Sequence, residues 1–438
     1  MAEEKYHLNE LPLNVLFING SNRKKSNSAV LTERAVDELK KYSKTEHRVF
    51  EIYNKNYGRF DDRKDTDELI EAWNWADTVI FILPNYTVGG PGSFCAALER
   101  LAEAAIEDVR GGVYKKTAGV LVQGSAQYGM AELALESIFC MLASLHTVPI
   151  YRLAAHIPDG TAPSEELLCN VDQMVEETVT GGRIYKLGAE KKAEENAEIL
   201  IVNAGMEEHE AGLEIEKRVR EKLSGLEGIR TEVFRFSEGS LRDCHHCNAL
   251  CRKNFRCAFN DQFQEFFNKW IKSDGILWIV SGDQCGAPAE VHYVHDRLSE
   301  TGFSTVWDRA NRLGIPYRFC RYTKAEGAVA YGKYGFAGQT LAQQLFVNIA
   351  EQRGNYFISG RTPASLGPAA LTDGIRENKA FIAETDALAF DIAKKAREIQ
   401  TAKRKLYNEL PELYFNSRIQ MGVPDKENYF NAYRGEIS

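Results

Sequence analysis

No run in this chain approaches the roughly 18 uninterrupted apolar residues that a membrane span needs. Its start, Met1-Ala-Glu-Glu-Lys5, lacks the basic-then-apolar order of a secretory signal. These absences predict a cytoplasmic protein with no membrane partner. A basic excess is missing too: the net charge is -8 and the two signs are interspersed. That excludes nucleic acid and anionic lipid as main partners, because both require a concentrated basic surface. No conventional acid/base pair or nucleophile triad stands out, so no catalytic proton donor is assigned. What the chain does have is 438 residues, room for two or three domains, and a 44% hydrophobic fraction that can bury sizeable cores. It also has nine cysteines, four of them between Cys244 and Cys257. Crowding of that kind in a reducing compartment points to metal chemistry and not to disulfides.

Short apolar runs alternate with amphipathic stretches along the whole chain, the pattern of an α/β protein with a parallel sheet covered on both faces. Strands are predicted near 15–18, 49–53, 78–83, 117–122 and 148–151, with helices near 29–41, 66–76, 93–106, 130–144 and 164–179. A second set follows: strands near 199–203, 232–236, 275–280, 328–331 and 356–359, helices near 210–224, 260–272, 288–300, 338–352 and 376–400. Local matches argue for duplication. Leu98-Glu-Arg-Leu-Ala-Glu103 aligns with His295-Asp-Arg-Leu-Ser-Glu300, and the glycines after Gly124 align with those after Gly332. The expected domains are 1–183 and 198–403, joined by a linker at 184–197 and followed by a C-terminal extension at 404–438.

In the first copy, Asn19-Gly-Ser-Asn-Arg-Lys-Lys-Ser-Asn-Ser28 lies between a buried strand and an amphipathic helix. Backbone N–H groups and a helix N-terminus meet there, a natural anion site. Ser21, Ser26, Asn27 and Ser28 add short donors, and Arg23 adds a guanidinium fork suited to phosphate oxygens. A plain strand-to-helix turn with a serine cap is the other reading. The second copy has Ala204-Gly-Met-Glu207-Glu208-His209-Glu210 in the same place. Carboxylates there oppose a phosphate, so this turn is expected to bind none. Asp283, Gln284, His292 and Tyr331 are candidates for a small-molecule pocket in that copy.

The segment Cys244-His-His-Cys247-Asn-Ala-Leu-Cys251-Arg-Lys-Asn-Phe-Arg-Cys257 puts four thiols on one loop, a soft tetrahedral donor set. An iron-sulfur cluster and a structural zinc both suit it.

The residues Gly20-Ser-x-Arg23-x-x-Ser26-Asn27-Ser28, Pro84-x-Tyr86, Pro91-Gly92 and Leu98-Glu-Arg-Leu101 resemble the NADPH-dependent FMN reductase group of the flavodoxin-like superfamily. The second half resembles the iron-sulfur flavoproteins of that superfamily, with a long second loop carrying a compact cysteine motif followed by Asp261. The resemblance implies tandem doubly wound domains, each with a five-stranded sheet in the order 2-1-3-4-5 and a flavin site at the switch point. It implies that Ser21, Arg23, Ser26, Asn27 and Ser28 hold the FMN phosphate. Pro84, Asn85, Tyr86 and Thr87 would line the isoalloxazine, with Gly124, Ser125, Tyr128 and Gly129 beside it. It also favours a 4Fe-4S cluster on Cys244, Cys247, Cys251 and Cys257. A departure is Cys95, where the group often has lysine; helix packing is its simpler role.

The expected function is therefore an FMN and iron-sulfur oxidoreductase. NAD(P)H or a ferredoxin-like partner would donate electrons, and a quinone-, nitro- or azo-like small molecule would accept them. The halves are expected to pack as a pseudo-symmetric pair, with or without further homo-oligomerisation. The competing expectation is a non-catalytic electron carrier or redox sensor with a structural zinc.

Overall fold

The structure is a computed structural model. It describes residues 11–57, 64–85, 90–107, 116–125, 130–190, 195–205, 210–237, 239–245, 257–282, 286–298, 324–333, 337–361 and 366–406. The chain divides into two compact units, Met1–Leu187 with Arg361–Ser365, and Gly188–Gly360 with Leu366–Ser438.

The first unit runs β1 (Leu13–Asn19), α1 (Asn27–Leu39), β2 (Thr45–Glu51), α2 (Lys64–Trp75), β3 (Thr78–Asn85), α3 (Gly92–Glu107), β4 (Lys116–Gly124), α4 (Met130–Ser144), β5 (Thr147–His156) and α5 (Glu165–Glu190). Its sheet is parallel, in the order β2-β1-β3-β4-β5, as expected. β3 and β4 are buried along almost their whole length because helices cover both faces. On one face Val15, Phe17, Ile80 and Ile82 pack with Leu31 and Ala35 of α1 and with Val171 and Val175 of α5. Elsewhere in the core, Trp73, Phe81 and Phe94 meet in tilted and edge-on ring contacts. Asn19 pairs with Ile82, so the chain leaves β1 and β3 at neighbouring points of one sheet edge. There the connections diverge and a crevice opens.

Much of the stretch read as a linker at 184–197 is regular structure: α5 continues unbroken to Glu190, and a strand begins at Ala197. Residues 191–194 lie outside the described residues. The helix predicted near 164–179 runs on through Gly181-Gly182, where Gly182 serves close packing. A Cβ at Gly182 would stand 2.3 Å from Thr78 Oγ1, and Ile184 and Leu187 beyond it are buried. Tertiary burial overrides the weak helix propensity of glycine.

The second unit runs β6 (Ala197–Asn203), α6 (Glu210–Ser224), β7 (Ile229–Arg235), α7 (Gln262–Lys272), β8 (Gly275–Ser281), α8 (Ala289–Leu298), β9 (Ala325–Gly332), α9 (Ala337–Gln352), β10 (Tyr356–Phe357), β11 (Ala369–Leu371) and α10 (Lys379–Leu406). The order β10-β9-β8-β6-β7 repeats the first unit's topology. The expected five strands become six because the fifth is split. Tyr356–Phe357 pairs with the start of β9 and Ala369–Leu371 with its end. The returning chain presses directly on β9: a Cβ at Gly367 would lie 2.4 Å from the Ala328 carbonyl oxygen. The expected extension at 404–438 begins inside α10, which runs to Leu406; residues 407–438 lie outside the described residues.

Equivalent contacts recur in the two units. Asp77 Oδ2 accepts from Asn14 N–H at 2.9 Å, and Asp274 Oδ2 from Glu198 N–H at 2.9 Å. The buried Lys116 donates to the Ala76 carbonyl and lies over the Trp73 ring; the buried Lys324 donates to the Ser273 carbonyl and lies over Trp270. Arg34 forks onto Asp172, and Arg218 onto Asp386. Coincidence of position, partner and geometry at three separate sites supports duplication better than sequence similarity alone.

Candidate functional site

The site of the first unit is built on the turn from β1 to α1. Ser21 N–H donates to Asn19 Oδ1 at 3.1 Å, while its own hydroxyl accepts from Arg23 N–H at 3.1 Å. These bonds fold the turn tightly, and Ser21 itself is buried. Ser26 is the N-cap of α1, accepting from Ala29 N–H at 3.2 Å. Ser28 is buried and receives a bond from Gln123 Nε2 at 3.3 Å. Exposed above this scaffold are Asn22, Arg23, Lys24 and Lys25, with Asn27 half-buried. The first turn of α1 carries no acidic residue. Three cations at a helix N-terminus, with the dipole pointing the same way, make a receptor for a dianionic phosphate. Lys24 and Lys25 were missed as contributors, although their charge was legible.

Two neighbouring segments are tied to this turn. Ser93 Oγ at the start of α3 donates to Asn22 Oδ1 at 2.5 Å, and Asn27 Nδ2 donates to the Thr161 carbonyl at 3.3 Å. Pro84 and Asn85 close β3 at the same sheet edge, with Gly124 paired to Asn85 in register. Asn85 Oδ1 is buried and has no hydrogen-bond partner among the described residues. A buried acceptor left unpaired costs free energy, so a ligand donor there is the natural completion. Gly124 also belongs here: a Cβ on it would come within 3.3 Å of the Asn85 carbonyl oxygen. Ser125 is exposed just beyond, and its carbonyl accepts from His156 Nε2 at 2.8 Å, a contact that fixes the start of this loop and was not foreseen. Tyr86, Thr87, Tyr128 and Gly129 lie outside the described residues. The residues present fit FMN: a cationic cradle for the phosphate, and an orphan acceptor and a close glycine where a ring would lie.

In the second unit the corresponding turn is closed. Gly205 stands where Ser21 does, its N–H donating to Asn203 Oδ1 at 3.1 Å as Ser21 donates to Asn19. Gly212 matches Ser28, and Tyr331 matches Gln123. Tyr331 is fully buried and its hydroxyl donates to the Gly205 carbonyl at 3.2 Å. This corrects the expectation that Tyr331 lines an open pocket. Glu210 is exposed in the first turn of α6, a helix end where its charge opposes an anion; Glu207, Glu208 and His209 lie outside the described residues, as do Asp283 and Gln284. His292 is exposed on α8.

Of the four clustered cysteines, Cys244 and Cys257 are described; Cys247 and Cys251 lie outside the described residues. Among the described residues no group of three or more metal-binding side chains converges. The two ends of the loop are nonetheless held together. Arg242 N–H donates to Asp261 Oδ2 at 3.2 Å, and the His245 ring meets Phe259 edge-on at 4.8 Å. Cys244 and Cys257 are both half-buried at this neck. Elsewhere, burial pushes the Cys140 thiol up to about 12, which marks it as an inert packing group, and Cys95 rests its sulfur 3.7 Å from the Gly90 carbonyl oxygen. No helix among the described residues is long and apolar enough to cross a membrane.

Residues 13–160 match the family model of NADPH-dependent FMN reductase. No curated relative matches the chain. Among solved structures, the apo form of NADH:FMN oxidoreductase (EMOB) is 18% identical over 38% of this chain and 88% of its own, with a TM-score of 0.31. FerB, a flavoenzyme NAD(P)H:(acceptor) oxidoreductase from Paracoccus denitrificans, is 20% identical over 38% of this chain and 95% of its own, with a TM-score of 0.32. The Trp repressor binding protein of Bacillus subtilis is 18% identical over 36% of this chain and 96% of its own, with a TM-score of 0.29. Residues 13–160 are thus similar to the NADPH-dependent FMN reductase family, a likeness that supports an FMN-dependent oxidoreductase.

Proposed function

We propose that the chain binds one FMN in its first unit and a 4Fe-4S cluster in its second, and moves electrons between them to reduce a small quinone-, nitro- or azo-like acceptor. NAD(P)H, or a ferredoxin-type protein, supplies the electrons. When bound, FMN accepts a hydride and releases electrons singly. The protein's part is to place it. Arg23, Ser26 and Asn27 bind the phosphate, with Lys24 and Lys25 adding field. Ser21 and Ser28 shape the turn from below. Asn85 accepts from the ring edge, and Pro84, Tyr86, Thr87, Gly124, Ser125, Tyr128 and Gly129 complete its walls. Cys244, Cys247, Cys251 and Cys257 would hold the cluster as thiolates.

The observation that carries this reading is a division of labour between matched turns. One copy keeps a cationic phosphate turn, while the other fills its turn with Tyr331 and carries the cysteine loop instead. Anaerobically purified protein should contain about one FMN per chain, with iron and sulfide in 4Fe-4S stoichiometry. It should oxidise NADH or NADPH in the presence of a quinone. Two flavins per chain, or stoichiometric zinc without iron, would overturn the assignment. Full cofactor content without turnover on either nucleotide would favour a ferredoxin donor over NAD(P)H.

A further inference from the structure

Arg297 on α8 is almost completely buried, its side chain 1% exposed, yet it is not a simple core ion pair. Its guanidinium makes four hydrogen bonds to three groups at the neck of the cysteine loop. Nη1 donates to Asp261 Oδ2 at 2.6 Å and to the Arg242 carbonyl at 3.1 Å. Nη2 donates to Asp261 Oδ1 at 2.8 Å and to Cys257 Sγ at 3.1 Å. The plane lies over Phe263, 4.2 Å from the ring centre, and 5.4 Å from that of Phe259. One side chain therefore ties the residue two before Cys244 to the last cysteine and to the carboxylate beyond it.

The duplication supplies a control within the chain. The residue matching Arg297 is Arg100 on α3, in the unit that has no cysteine loop. Arg100 donates to the Glu103 carboxylate and forms a looser ion pair with Glu99 at 3.8 Å, both on its own helix. The same inherited arginine is thus a local helix partner in one copy, while in the other it is turned onto the loop. Keeping a buried cation needs compensation from anions. Asp261 supplies one negative charge, and a second donor edge is left for sulfur.

We propose that Arg297 is the positioning residue of the metal-binding loop: it closes the neck and fixes where the Cys257 sulfur is presented to a soft metal centre. This rests on the reading of the loop as a metal site. A guanidinium N–H bonded to a ligand sulfur fixes the position and direction of that sulfur. It withdraws charge from the ligand, which raises the reduction potential of an iron-sulfur centre. The planar fork matters: lysine keeps the charge but cannot span Asp261, the Arg242 carbonyl and Cys257 together.

The test compares wild type, Arg297→Lys, Arg297→Met and Arg100→Lys as full chains purified anaerobically. Metal and flavin contents, far-UV circular dichroism and the rate of metal loss to a chelator are measured. Partners of metal ligands typically change metal affinity by roughly 10- to 100-fold. Arg297→Lys should therefore lose metal roughly tenfold faster or more, with flavin content and helix signal unchanged, and an iron-sulfur centre should titrate at a lower potential. Arg100→Lys should behave as wild type. Where the circular dichroism of Arg297→Met shows an unfolded second unit, Arg297→Lys decides alone. Wild-type metal retention and potential in Arg297→Lys would overturn the role of Arg297. Zinc in place of iron in wild type would overturn the cluster reading, and chelator kinetics on that zinc would still decide the role of Arg297. Wild type free of any metal would overturn both.

Discussion

The phenolic oxygen of Tyr331 stands 1.7 Å from where a Cβ on Gly205 would be, and 2.5 Å from where one on Gly212 would be. Both glycines exist to admit that hydroxyl. The first unit has Ser21 and Ser28 at these positions because Gln123, a slimmer side chain, takes the place of Tyr331. The two turns have diverged by a compensated set of substitutions, not by loose decay.

Gly212→Ala should therefore destabilise the second unit by roughly 1–3 kcal/mol through overpacking. With Tyr331→Phe in the same chain, part of that cost should vanish, since the next atoms, Asn203 Oδ1 and Tyr331 Cζ, lie at 3.1 and 3.2 Å. Urea midpoints of the two single variants and the double variant measure the coupling. Simple additivity of the two costs would show that the hydroxyl does not set the need for glycine.

Arg23→Glu places a carboxylate at the exposed edge of the phosphate turn, where the helix dipole and two lysines otherwise favour an anion. Purified Arg23→Glu protein should carry little or no flavin at an unchanged far-UV spectrum. Full flavin occupancy in this variant would move the phosphate site elsewhere.

Asn85 offers a different readout. Its Oδ1 has no partner among the described residues, so the apo protein gains nothing from it. Asn85→Ala should leave the melting temperature of flavin-free protein unchanged or slightly raised, and weaken FMN binding by about 2- to 10-fold, the worth of one neutral hydrogen bond. Fluorescence quenching on flavin titration gives the affinity. A destabilised apo protein with undiminished FMN affinity would make Asn85 a structural residue.

Lys116 predicts a pH dependence. Burial lowers its ammonium from 10.5 to about 8, against a smaller opposing pull from Asp77. Below pH 8 folded and unfolded chains both carry the proton, and the fold bears the cost of burying it. Between about 8 and 10.5 the folded chain releases a proton that the unfolded chain keeps, so stability rises with pH across that window. Denaturant midpoints of wild type should gain on those of Lys116→Met from pH 8 to 10, and a constant gap would contradict this.

Much of the fold is legible in the chain. Buried strands such as Thr78–Asn85 are nearly continuous apolar runs, and α1 shows a clear amphipathic period after a serine cap; both signals are local. The serine-capped cationic turn after β1 was equally readable, because its residues are contiguous. What escaped was non-local. Gly181-Gly182 reads as a break until Thr78 is seen against it, and His156 is an unremarkable strand-end residue until its ring reaches the Ser125 carbonyl. The fifth strand of the second unit looked whole because its interruption depends on Gly367 lying against β9.

The sequence by itself determined the parallel α/β class, the duplication, the cationic turn after β1 and the position of the cysteine loop, since each is written in neighbouring residues or in a repeated order. Only the tertiary structure decided that Tyr331 is a plug and not a pocket wall, and that Arg297 serves the cysteine loop while Arg100 serves its own helix. The roles of Tyr331 and Arg297 depend on groups between 36 and 126 residues apart meeting within hydrogen-bond distance. No local periodicity encodes such a meeting; the packing of the helices and strands against one another creates it.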